Sequence, residues 1–192
     1  MTTQELINET KSITQSNIDF LRKKIRLLSS QQLKWRPNEQ SWSILEIFAH
    51  LNEYARFYHN VFKSKIDSTK YKEPKPNFIS SPLGKSAWKA MKLGSLNNVK
   101  RKFKSPKEFN PSSIPQLISG SDHLSFEENQ IELLKIIDLS ACVNLQRVKI
   151  PISISKFIRL RLGDTLLLIT YHNERHVQQV INLMKHRAFP VK

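Results

Sequence analysis

Apolar positions recur through most of this chain at spacings of three, four and seven, the mark of helices with one buried face. Leu6, Ile13, Phe20 and Leu27 fall every seven residues, with Asn17, Leu21 and Leu28 on the same side. This predicts a first helix over about 4–29, ended by Ser29-Ser30-Gln31-Gln32. Pro37 then blocks helix continuation in the loop that follows. The second helix, about 43–63, has a legible start. Ser43 and Glu46 match a capping box, and Trp42 with Ile47 would form a hydrophobic staple. Its buried stripe is Ile44, Ile47, Phe48, Leu51, Tyr54, Ala55 and Tyr58, with His50 on the stripe and His59 at its border. A third helix is expected over about 113–139, with Pro115 in its first turn and Leu117, Leu124, Ile131, Leu134 and Ile137 inward. Val148–Ile152 reads as an extended crossover. Gly163-Asp164 reads as the turn and cap of a last helix, over about 165–186.

Between the second and third helices the pattern dissolves. Prolines at 74, 76, 82, 106, 111 and 115 interrupt it, and only Ser86–Met91 suggests a short helix, docked through Trp88 and Met91. So long a link is unusual inside a compact domain. It makes sense if the second and third helices run parallel, because the chain must then return along the full length of the bundle.

Composition narrows the class. The 192 residues are enough for one domain with a substantial core, and only 4 glycines favour helices throughout. The polar N-terminus shows no signal peptide, and no apolar run approaches the ~20 residues of a bilayer span, so no membrane partner is expected. The single cysteine, Cys142, fits a reducing cytoplasm and is read as a small buried hydrophobe. The formal charge is +15, and +11 of it lies between Lys63 and Lys107, where thirteen cations face only Asp67 and Glu73. Such a stripe suits phosphates or an anionic surface, but no nucleic-acid-binding motif accompanies it. It is read as a solvated connection without sequence-specific nucleic-acid binding.

The stretch Tyr171-His172-Asn173-Glu174-Arg175-His176-Val177-Gln178-Gln179 carries the most chemistry. Residues four apart on a helix sit one above the other, so His172 and His176 share a face with Ile169, Val180 and Leu183 and point inward. Two imidazoles one turn apart are half of a metal site. Glu174 falls on the opposite side and is expected in solvent, so this is not the His-Glu-x-x-His protease motif. His123 and His186 lack partner spacing and are read as structural or exposed.

Four segments together carry a resemblance. They are Trp35-Arg36-Pro37, the run Ser41-Trp42-Ser43-Ile44-Leu45-Glu46-Ile47-Phe48-Ala49-His50-Leu51, Leu160-Arg161-Leu162-Gly163-Asp164-Thr165, and His172-x-x-x-His176-x-x-Gln179. Over nearly the whole chain they resemble the DinB/YfiT-like superfamily, four-helix proteins that include thiol-dependent S-transferases. The resemblance implies an all-α fold: one domain, 1–192, built as an up-down-down-up four-helix bundle with a long crossover between helices 2 and 3. It also implies a divalent metal held by three histidines, carried over to His50, His172 and His176; similar proteins are often homodimers, and the oligomeric state of this chain is left open.

Three neutral imidazoles suit Zn²⁺, Ni²⁺ or Fe²⁺ and leave an open position for a substrate, a water or a low-molecular-weight thiol. Glu53 and Gln179 lie three residues after His50 and His176, within reach of the site. Glu53 is the candidate for proton transfer and Gln179 for support behind the metal. The expected function is a metal-dependent enzyme on a small-molecule substrate, of the thiol S-transferase or hydrolase type, with its site opening to a pocket. The alternative is a non-enzymatic helical protein with a vestigial or structural histidine site, acting through its basic surface.

Overall fold

The computed structural model describes residues 1–95 and 104–191. The chain is predominantly helical: α1 (Thr3–Lys23), α2 (Ser30–Lys34), α3 (Ile44–Ser68), α4 (Pro82–Met91), α5 (Asp122–Ser140) and α6 (Leu162–Met184). An antiparallel hairpin, β1 (Lys149–Ile152) and β2 (Ser155–Arg161), leads directly into α6. This small sheet corrects the expectation of a purely helical chain. α3 packs on α5, α1 on both α5 and α6, and α3 also on α6. The apolar interior falls into two clusters, one around Tyr58, Phe62 and Tyr171 and one around Phe48, Phe126 and Val180.

Helix boundaries differ from the periodicity where local hydrogen bonding decides. α1 ends at Lys23 and passes into a 3-10 turn, Ile25–Leu27. Ser29 and Gln32, read as the end of the first helix, instead form the capping box that opens α2. α3 begins with the expected Ser43/Glu46 box but runs on to Ser68. α5 starts at Asp122 rather than near 113, because Pro115–Leu117 closes a 3-10 turn and the Asp122 carboxylate accepts from Ser119 N–H at 2.6 Å. α6 starts at Leu162, three residues early. Its first free donors, Leu162 N–H and Gly163 N–H, go to the carbonyls of Val148 (2.9 Å) and Leu145 (3.2 Å), so no capping side chain is needed. Cys142 is exposed in the turn after α5, not buried.

The long link is better tethered than its composition suggests. Thr3 N–H donates to Pro76 O at 2.8 Å and Phe78 N–H to Met1 O at 3.0 Å, so its first arm is tied to the N-terminus. α4 then packs on α6, with Trp88 against Tyr171 at 5.9 Å between ring centroids. Of the basic segment, Lys63 pairs with Glu132, Lys72 caps the end of α3 through Ile66 O and Asp67 O, and Lys92 binds Glu9 and Tyr171. Lys100, Arg101 and Lys102 lie outside the described residues.

Asp164, fully buried at the start of α6, accepts from Ser81 N–H (3.0 Å) and Oγ (2.9 Å) and so holds the N-terminus of α4. The contact needs glycine on the other side: a Cβ on Gly84 would lie 2.1 Å from Asp164 Oδ2. Gly84→Ala is therefore expected to cost about 1–3 kcal/mol by overpacking, read as a lower denaturant midpoint at unchanged slope.

Candidate metal centre

His50 comes from the second turn of α3 and His172 and His176 from the middle of α6. The α3 end of the site is rigid for a sequence-local reason. Glu46 is buried, with one carboxylate oxygen accepting from Ser43 N–H at 2.8 Å and the other pairing with Arg36 at 2.7 Å. The Trp-Arg-Pro turn is thereby fastened to the helix that carries His50. On α6 the two histidines are one turn apart on the face turned to α3. Their ring centroids are 4.7 Å apart, and His50 lies 5.2 Å from His172 and 4.9 Å from His176. One ring nitrogen from each of the three lies within 4.8 Å of the others. Such a group could hold a metal ion.

Hydrogen bonds decide which nitrogens are free. His50 Nδ1 is 2.6 Å from Phe109 O, and a carbonyl only accepts, so Nδ1 carries the proton and Nε2 keeps its lone pair. His176 Nδ1 likewise donates to Gln179 Oε1 at 3.0 Å. His172 Nδ1 is buried without a partner among the described residues, and its Nε2 stands 3.4 Å from His50 Nε2. Two nitrogens each ~2.0–2.1 Å from a tetrahedral ion are ~3.3–3.4 Å apart, so this spacing fits a shared cation.

Electrostatics agree with the donor set. His50 is 2% exposed and His172 8%. Burial pushes the His50 imidazole down to about 4, against the opposing pull of the Phe109 carbonyl. His172 and His176 are held well below the ordinary imidazole range, first by burial and then by the neighbouring histidines. All three are neutral near pH 7, the state in which imidazole binds metal.

Aromatic rings cover the cluster. Trp42 lies 5.0 Å from the His50 ring and 6.3 Å from that of His176. Tyr54 lies 4.9 Å from His50, 4.5 Å from His172 and 4.5 Å from Phe109. The return arm of the long link supplies part of this cover: besides Phe109, Ser105 Oγ is 3.4 Å from His50 Nδ1, and Ser112 Oγ accepts from Trp42 Nε1–H at 2.9 Å. These rings lie over the histidines, and His176 stays partly exposed.

Gln179 stands behind His176, where the i,i+3 spacing put it. Glu53 turns elsewhere, pairing with Arg56 at 3.1 Å and acting on Asp122 by charge. The α3 residue against the histidines is Tyr54, one turn after His50. Glu174 is half-buried, its carboxyl pushed up by burial, and feels the charges of Lys92 and Glu9 rather than standing free in solvent. Tyr54 was within reach of the same helical argument that selected Glu53. Phe109 was not, because it acts through a main-chain carbonyl in an aperiodic segment.

A family model described as DinB superfamily matches residues 16–180, which span both halves of the histidine cluster, and the chain belongs to that superfamily. No curated protein and no solved structure shows a significant match.

Proposed function

We propose that this member of the DinB superfamily is a metal-dependent enzyme of the thiol S-transferase or hydrolase type, acting on a small molecule, with His50, His172 and His176 holding Zn²⁺, Ni²⁺ or Fe²⁺. The observation that carries the reading is the convergence of three neutral imidazoles on one point, His50 and His172 buried and His176 partly so. A divalent cation held there would supply Lewis acidity, enough to bring a bound water to a pKa of about 7 or to hold a bound thiol as its thiolate. Phe109 O and Gln179 Oε1 keep the Nδ1 protons of His50 and His176 away from the centre. Trp42, Tyr54 and Phe109 lie against the histidines and limit their contact with water, which strengthens any charge interaction there. For Glu53 to transfer a proton, its carboxylate has to leave Arg56. The scaffold in this reading is one domain with four long helices, α1, α3, α5 and α6, running up-down-down-up. Support comes from the order of contacts: Phe48 on Phe126, Asn52 with Asn129 and Lys63 with Glu132 ascend both α3 and α5 together.

The aromatic roof favours a second reading, in which the metal braces α3 against α6 and never meets a substrate. Cobalt substitution separates the two. The untagged protein is expected to bind about one divalent ion per chain. Its Co²⁺ form should change its visible bands when a small thiol such as 2-mercaptoethanol is added. Bands that ignore thiols and small anions select the bracing role. Failure to bind any divalent ion after reconstitution removes both.

A further inference from the structure

The β1–β2 hairpin carries apolar surface that the helical core does not use. Phe157 is 94% exposed and Ile154 68%, and Ile158 is exposed beside them. The register explains why. Pro151 pairs with Arg159 and Ile152 with Ser155, so the three residues 156–158 have no partners and bulge out of the ladder. The hairpin is nevertheless firmly seated. Ile150 and Leu160 are buried, and Ser153 N–H donates to Tyr58 OH at 3.1 Å while that hydroxyl donates to Ser153 Oγ at 3.3 Å. A large ring held in water on a fixed support marks an interaction surface.

Charge indicates the partner. From Leu139 to Gly163 the sequence holds five cations, Arg147, Lys149, Lys156, Arg159 and Arg161, and no acidic residue. Arg147, Lys149 and Arg159 are exposed. We propose that this hairpin docks the protein onto an anionic phospholipid surface, with Ile154, Phe157 and Ile158 entering the boundary between headgroups and acyl chains and the flanking cations meeting lipid phosphates. Cations around an apolar tip are the composition of interfacial anchors. The inference departs from the expectation of no membrane partner, which rested on the lack of a spanning run. Surface docking needs none.

Vesicle flotation of the full chain tests it, with phosphatidylglycerol–phosphatidylcholine vesicles against pure phosphatidylcholine. The protein is expected to float with the anionic vesicles and not with the neutral ones. Phe157→Ser is expected to lower partitioning roughly tenfold or more. Lys149→Gln and Arg159→Gln should each lower it roughly fivefold, with unchanged thermal midpoints showing that the fold is intact. Absence of flotation overturns the proposal. So does flotation indifferent to Phe157→Ser, which would reflect general basic charge alone. If Phe157→Ser abolishes only self-association, or only binding to single-stranded nucleic acid, the hairpin serves that contact and the lipid assignment falls.

Discussion

His176→Ala is expected to lower divalent-metal affinity at least ~100-fold while leaving the helical content unchanged. Loss of a partner behind a metal ligand already costs about 10–100-fold, and loss of a ligand removes a direct bond as well. Gln179→Leu is the graded control: it frees the His176 tautomer without deleting a donor, so a loss of roughly tenfold is expected. The fold should persist, because the interior beside the site is built from Phe48, Phe62, Tyr58 and aliphatic side chains. Competition against a chromophoric chelator, with circular dichroism of each variant, reads both quantities. Equal affinity in the parent and His176→Ala would place the metal elsewhere, and the three histidines would then be independent core residues.

The parts of this site visible in the sequence are those whose cause is local. Ser43 and Glu46 satisfy each other's backbone neighbours, so their spacing alone places the start of α3. His172 and His176 share a face because a helix turns every 3.6 residues, whatever surrounds it. Features made by distant partners were hidden. α6 begins three residues early because carbonyls of Leu145 and Val148 cap it, and main-chain acceptors leave no mark on residue identity. The aromatic roof depends on a lysine- and proline-rich link whose composition reads as a solvated loop. Its return arm nevertheless delivers Phe109 to His50. Only half of the hairpin is legible: Val148–Ile152 reads as extended, but its partner strand carries a bulge that breaks the alternation.

The histidines also make the fold acid-sensitive, which does not depend on any metal. His59 on α3 is 5% exposed, and its Nε2 is buried without a partner among the described residues. Burial pushes it down to about 4, with Glu132 pulling it up and Lys63 adding to the depression. The sign follows from the unfolded chain, where imidazole protonates near pH 6.5. Above that pH both states are neutral and stability does not change. Between about 6.5 and 4 the unfolded chain takes up a proton that the fold refuses, so stability falls as pH falls.

A difference of about 2.5 pH units corresponds to roughly 3 kcal/mol, from His59 and again from His50, a large part of a typical ~5–15 kcal/mol total. Denaturant midpoints in EDTA, to keep metal from masking the effect, are therefore expected to drop steeply from pH 6.5 to 4. His59→Leu should keep neutral-pH stability within about 1.5 kcal/mol and remove only its own share of that slope, leaving the shares of His50, His172 and His176. An unchanged slope in His59→Leu would mean that His59 reaches solvent and titrates as it does in the unfolded chain.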